Sequence, residues 1–143
     1  MTCLQDTYYW LQTKRYENGW LKEGSDGDYT IIHALVERWG DGLRHPHAVI
    51  YNKKTGNIHE VSNSYKNNNS IMPFKLWILA GKISDIKQYD FMELNSKMLE
   101  TKEWNFYHLK EYLDEKKEEL LEKLKQQQAS KQQDPAEYPQ PHP

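Results

Sequence analysis

The chain has 143 residues, a net charge of -2 at neutral pH and 28% charged residues, so no dominant basic field exists to collect phosphates. This balance excludes a general nucleic-acid or membrane-surface binder. It contains no run of about 18 apolar residues, so no transmembrane helix is expected, and its first residues lack the pattern of a signal peptide. The single cysteine excludes an internal disulfide framework, which makes the cytoplasm the expected compartment.

The chain begins with a predicted helix over residues 2–17. Thr2 and Gln5 have the spacing of a capping box, in which the hydroxyl accepts an amide and the glutamine reaches back. Asn18-Gly19 is a typical helix stop. Asp6 is an alternative cap, and that choice leaves Cys3 outside the helix. The apolar stripe of this helix comprises Leu4, Tyr8, Leu11 and Tyr16.

Three strands are predicted next, over residues 29–39, 47–51 and 58–62, because these segments are rich in β-branched and aromatic residues. The loop between the second and third strands is short and places Gly56 where a positive φ is needed. Residues 47–62 are therefore predicted to form an antiparallel hairpin.

The remaining segments are less regular. An Asn-rich loop over residues 63–70 precedes an apolar stretch over 71–80, where Pro73 indicates an edge strand or a turn. Residues 82–91 are ambiguous and compatible with a further strand, and residues 92–102 are predicted to be helical. A long C-terminal amphipathic helix is marked by Phe106, Leu109, Leu113, Leu120 and Leu124. The order of helix, sheet and helices predicts an α+β fold with a small antiparallel sheet.

Residues 123–143 differ in composition from the rest of the chain. They are rich in Gln and Pro and nearly free of large apolar side chains. Such a segment buries too little surface to offset the entropy of ordering. We therefore predict one α+β domain over residues 1–122 and a disordered tail over 123–143.

Cys3 and His47 are the first candidates for catalytic chemistry. A cysteine acts as a nucleophile through its thiolate, which a helix N-terminus and a neighbouring histidine both favour. If Thr2 is the cap, Cys3 is the first helical residue, where the free amides and the helix dipole point. The histidine must then be held in one tautomer by a third group.

The hairpin offers two candidates for that third group. With a four-residue loop, Tyr51 lies opposite Ile58 and His47 shares a face with Glu60, diagonally adjacent to it. A one-residue bulge instead moves Asn63 opposite His47. The sequence leaves the choice between Glu60 and Asn63 open.

Residues 2–63 resemble papain-like and transglutaminase-like cysteine enzymes in the order and spacing of these residues. Those enzymes place a Cys at the start of a helix, a His at the start of a strand and an Asp or Asn on the next strand. The resemblance implies a hydrolase or acyl-transfer enzyme acting on an amide or thioester, with Cys3 as nucleophile, His47 as base and Glu60 or Asn63 orienting it. Papain has an oxyanion-stabilising Gln upstream of its Cys, whereas only Met1 and Thr2 precede Cys3 in this sequence, so the resemblance supplies no such residue.

The sequence also bears on metal binding and on functions other than catalysis. The histidines His33, His45, His47 and His59 lie on neighbouring predicted strands, but Pro46 and the hairpin register separate them, so we predict no metal site. No nucleotide-binding or serine-hydrolase motif occurs, and no cofactor is expected.

The alternative function is a non-catalytic interaction module. It binds a protein partner, instead of a peptide or small amide substrate, through its many Trp and Tyr side chains or its C-terminal helix.

Overall fold

A computed structural model describes residues 2–20, 24–37, 42–61 and 70–133. The chain divides into two compact units, Met1–His108 and Leu109–Pro143. The division falls before residue 122, the predicted end of the folded domain. Among the described residues, the first unit contains the sheet and three α-helices, and the second contains the C-terminal helix.

Five antiparallel strands form one sheet, in the order β4-β3-β2-β1-β5. The strands are β1 (Tyr29–Val36), β2 (His45–Asn52), β3 (Asn57–His59), β4 (Ile71–Pro73) and β5 (Ser84–Tyr89). The predicted α+β class is confirmed. Pro73 lies on an edge strand, where the missing amide breaks no ladder inside the sheet.

The β2–β3 hairpin has the predicted loop. Asn52 pairs with Asn57 and Tyr51 with Ile58, so four residues connect the strands, and Gly56 has the expected positive φ of 74°. Asn52 closes the turn by accepting the amides of Lys54 and Thr55 on its side chain. The third strand is shorter than predicted, since it ends at His59 instead of residue 62.

Among the described residues, buried side chains form a cluster on each face of the sheet. Side chains alternate along a strand, so neighbours such as Ile31 and Ile32 belong to different clusters. One cluster joins the sheet to α1 (Cys3–Glu17) and α3 (Phe91–Thr101) through Tyr8, Leu11, Ile31, Ile50, Tyr89, Phe91 and Leu94. The other joins it to α2 (Phe74–Gly81) through Ile32, Ala34, Val49, Ile58 and Trp77.

Helix α2 follows β4 directly and is anchored at its C-terminal end. The amide of Glu37, just past β1, donates to the carbonyl of Gly81 at 2.8 Å, and the amide of Ile83 donates to Ile78 at 3.0 Å. Lys82 closes the helix in a left-handed conformation, with a φ of 45°. These bonds fix the end of α2 against the sheet.

The second unit contains α4 (Lys110–Gln133). This helix runs eleven residues into the segment predicted to be a disordered tail, as far as the start of the Pro-containing end. Lys, Gln, Glu, Leu and Ala are strong helix formers, so intrinsic propensity extends the helix where burial does not require it. The rest of the predicted tail, residues 134–143, lies outside the described residues. Within the described ranges no helix combines the length and apolarity needed to span a membrane.

Candidate active site

The N-terminal turn of α1 positions Cys3. Thr2 is the cap: its hydroxyl accepts the Gln5 amide at 3.4 Å, and its own amide donates to Gln5 Oε1 at 3.2 Å. The capping box is therefore present, and Cys3 is the first residue of the helix, as one of the two predicted alternatives required. Fully buried Thr7 donates its hydroxyl to the Cys3 carbonyl at 2.9 Å, which ties this turn to the next.

The first turn of α1 also presents backbone amides beside the thiol. The Gln5 amide is used by the cap, and the Asp6 amide donates to the Thr2 carbonyl at 2.9 Å. The amides of Cys3 and Leu4 precede the first intrahelical bond, and the helix dipole adds partial positive charge at the same end. This turn is suited to stabilise negative charge on an atom next to the sulfur.

His47 occupies the first half of β2. Its partner across the ladder is Ala34 on β1, and its side chain shares the sheet face of Val49. The residue is only 7% exposed. A buried imidazole needs polar partners, and two are present.

Glu60 is the first of these partners. It lies directly after β3, where its amide donates to the Ser70 carbonyl at 3.0 Å. The Nε2 atom of His47 donates to Glu60 Oε1 at 2.6 Å, and Glu60 is 6% exposed. Of the two candidates for the third group, Glu60 thus makes this contact, while Asn63 lies outside the described residues.

Cys3 is the second partner of His47. Its thiol lies near enough to the imidazole to raise the pKa of His47 by hydrogen bonding and charge. Because Nε2 faces Glu60, Nδ1 is the ring nitrogen left for the thiol. Burial lowers the pKa of His47, but the hydrogen bonds and charges of Cys3 and Glu60 outweigh it and raise the pKa above its ordinary value. Cys3 itself is half-buried. The fold therefore joins thiol, imidazole and carboxylate in one line of contacts.

Two other buried or partly buried histidines, His33 and His59, lie among aromatic rings instead. His33 is fully buried between the rings of Tyr89 and Phe106, and each of their ring centroids lies 5.1 Å from that of the imidazole. His59 packs against the rings of Trp10 and Tyr29, part of the cluster on the other sheet face. Among the residues that the structure describes, no three His, Cys, Asp or Glu side chains gather in a way that would hold a metal ion.

A cavity of about 240 Å³ adjoins the carboxylate end of this line. Glu60 and Ser70 form its polar part, and α2 with the segment that follows it forms much of its apolar wall. This cavity was not predicted from the sequence. The available signal was the apolar stretch over residues 71–80, but nothing local shows that it folds back beside Glu60.

A larger cavity of about 520 Å³ lies elsewhere in the first unit. Its lining mixes both charge signs, with Lys87 and Lys97 beside Glu93 and Glu100. It contains none of Cys3, His47 and Glu60. Size alone therefore does not identify the candidate site, and the chemistry of the lining favours the smaller cavity.

Comparisons with known proteins give no match to a protein-family model, a curated protein or a solved structure. The functional argument consequently rests on the residues and their geometry.

Proposed function

We propose that this protein is a cysteine hydrolase or acyl-transfer enzyme of the papain-like type, acting on an amide or thioester. The observation that carries the proposal is the buried His47 imidazole, held between the Cys3 thiol and the Glu60 carboxylate. In this proposal Cys3 is the nucleophile, His47 the base and Glu60 the acid that orients the base, although the three are widely separated along the chain. That order is the general arrangement of an activated nucleophile.

In the proposed reaction His47 takes the proton of the Cys3 thiol, and the sulfur attacks the substrate carbonyl carbon. The tetrahedral oxyanion is stabilised by the amides of Cys3 and Leu4 at the start of α1. His47 returns the proton to the leaving amine or thiol as the carbon–heteroatom bond breaks, which leaves a thioester on Cys3. Water, or another nucleophile in an acyl transfer, then attacks this thioester and regenerates the thiol, with His47 again as base.

Glu60 acts in this scheme as a positioning residue. By accepting a hydrogen from Nε2, it holds the ring so that the other nitrogen faces Cys3, and it stabilises the imidazolium that forms. The Glu60 amide bond to Ser70 fixes the backbone from which the carboxylate projects. A lone thiol is kept reduced most readily in a reducing compartment, so the proposal includes a cytoplasmic location.

The rate of Cys3 alkylation by iodoacetamide tests the proposal. At pH 6 we expect His47→Ala to react at least tenfold more slowly than the wild-type protein, because the variant lacks the base and cation beside the thiol. His59→Ala is the matched control, a histidine one residue from Glu60 that packs on the other sheet face. Equal rates in the wild type and His47→Ala would contradict the proposal, while a loss confined to His47→Ala leads to screening of amides and thioesters.

One observation favours a second function, a non-catalytic interaction module. Helix α4 exposes three large apolar side chains, Leu120, Leu121 and Leu124. Exposed leucines on one helix are a common way of binding another protein. Capture of a partner by the wild-type chain and by Cys3→Ser, but not by Leu121→Glu, would support this function over catalysis.

A further inference from the structure

We infer that the 240 Å³ cavity beside Glu60 binds an aliphatic group of the substrate, so that the enzyme prefers amides or thioesters of medium-sized aliphatic acids. This inference rests on the proposed function. It goes further by assigning a substrate class and by naming Ala80 as a residue that controls specificity.

The lining of the cavity indicates the chemistry of its occupant. Besides Glu60 and Ser70 at the polar end, five apolar side chains form the wall: Val36, Met72, Trp77, Ala80 and Ile83. The Glu60 carboxylate already accepts a hydrogen from His47, and the Ser70 carbonyl accepts the Glu60 amide. The rest of the surface offers only apolar contact, which favours a hydrocarbon group.

The volume limits the size of that group. An apolar cavity of about 150 Å³ is large enough for benzene, and whole drug-sized ligands occupy at least about 300 Å³. A cavity of about 240 Å³ lies between these limits. It fits one substituent of about six to eight heavy atoms, with the rest of the substrate outside.

The cavity also adjoins the proposed catalytic group, through Glu60. Glu60 belongs to both, and one imidazole ring separates its carboxylate from the Cys3 thiol. A hydrogen-bond distance on each side, together with the width of the ring, puts the sulfur within about 8 Å of the carboxylate. An acyl chain of five or six carbons, attached at the carbonyl that Cys3 attacks, covers a distance of this order.

The wall is formed before any ligand binds. Trp77, only 5% exposed, packs in the cluster that includes Val49 and Ile58. The C-terminal end of α2 is held by the backbone bond between Glu37 and Gly81. A wall anchored in this way retains its shape, so the ligand pays little to order it.

Ala80 offers a clean way to fill the cavity. It lines the cavity yet is solvent-exposed, so a larger side chain there narrows the space without disturbing the core. Leu79 is its neighbour on the same helix, 76% exposed and outside the lining. Ala80→Phe and Leu79→Phe therefore introduce the same ring on the same helix, and only the first blocks the proposed site.

The experiment measures the affinity of two amides by NMR titration of full-length protein carrying Cys3→Ala, which prevents turnover. We expect 4-methylpentanamide to bind at least tenfold more tightly than acetamide, because each buried methylene contributes about fourfold. Adding Ala80→Phe should reduce this preference to threefold or less, and adding Leu79→Phe should leave it unchanged. Equal binding of the two amides, or a preference that survives Ala80→Phe, would overturn the inference.

The two proposals fail separately. Iodoacetamide is too small to need the cavity, so its dependence on His47 reports only on the activated thiol. The amide titration lacks the thiol altogether and reports only on the cavity. If alkylation slows in His47→Ala but the two amides bind equally, the cavity assignment alone is rejected. If alkylation does not depend on His47 but the longer amide binds more tightly, the catalytic role is rejected and an aliphatic binding site is retained.

Discussion

The Nε2 atom of His47 lies 2.6 Å from Oε1 of Glu60, and both side chains are more than nine-tenths buried. A hydrogen bond of this length to a carboxylate is charge-assisted and stronger than a neutral one. Burial disfavours the charged imidazole, so a raised His47 pKa requires compensating contacts, which Cys3 and Glu60 supply. The predictions that follow test this pair and its surroundings.

Glu60→Gln removes the carboxylate charge and retains an oxygen that accepts the same hydrogen bond. We expect the pKa of His47 to fall, since one cause of its elevation is lost. The shift of the His47 ring proton followed by NMR across pH measures this change. Glu37→Gln removes a carboxylate that pairs with Lys82 instead of His47, so it is the control and should leave the His47 titration unchanged.

The raised pKa of His47 also predicts how stability varies with pH. A group whose pKa is higher in the folded state contributes stability that is fully present below its unfolded pKa of about 6.5 and lost as pH rises through the folded pKa. The free energy of unfolding of wild type minus that of His47→Gln should therefore be larger at pH 5.5 than at pH 9. Urea denaturation at the two pH values measures it, and a constant difference would contradict the assigned contacts.

Thr2→Ala removes the cap that begins α1. Loss of a capping hydroxyl costs about 0.5–2 kcal/mol, and here it also frees the turn that carries Cys3. We expect the melting temperature to fall and the alkylation of Cys3 to slow. Thr13→Ala is a suitable control because Thr13 donates its hydroxyl within the same helix, to Tyr9 at 2.9 Å, far from the cap. If both variants alkylate at the wild-type rate, the cap does not position the thiol.

His33→Leu tests a buried histidine outside the site. Burial lowers the pKa of His33 to about 3, and neither ring nitrogen has a hydrogen-bond partner among the described residues. Leucine at this position should raise the free energy of unfolding by about 1–2 kcal/mol at pH 7, because an unsatisfied polar group is replaced by an apolar one. Chemical denaturation measures the difference, and a destabilised variant would indicate a polar partner for the imidazole.

The same variant changes acid stability. The folded pKa of His33 lies below the unfolded one, so wild type loses stability as pH falls from about 6.5 towards 3, by about 1.4 kcal/mol per unit. At pH 4.5 the advantage of His33→Leu should exceed its advantage at pH 7 by about 2–3 kcal/mol. An unchanged advantage would mean that the imidazole takes up its proton in the folded state.

Truncation after Lys125 should leave the fold intact. The side chains of residues 126–130 are exposed, so their removal deletes no buried contact. We expect a change in melting temperature of less than about 2 °C. Calorimetry of the truncated and full-length chains measures it, and a drop of more than about 5 °C would show that this part of the chain stabilises the folded protein.

Some features were determined by the sequence itself because their causes are local. The capping box of Thr2 and Gln5 and the hairpin loop closed by Gly56 each depend on residues a few positions apart, and both are present as predicted. The hairpin register then places His47 and Glu60 on one face, because alternation of side chains follows from the pairing. These local rules were sufficient to name the histidine–glutamate pair as one of two alternatives.

Other features were decided only by tertiary structure. The approach of Cys3 to His47 joins residues far apart in the chain, and the interactions of Cys3 and Glu60 outweigh burial and raise the His47 pKa. The cavity beside Glu60 exists because α2 folds against β1 and β3, and no short-range pattern encodes that packing. The length of α4 shows the converse: helix propensity along residues 123–133 outweighed the lack of apolar side chains by which a tail was predicted. Local chemistry thus determined the parts of the site, and long-range packing determined their assembly, because burial and electrostatics depend on neighbours that the chain order does not reveal.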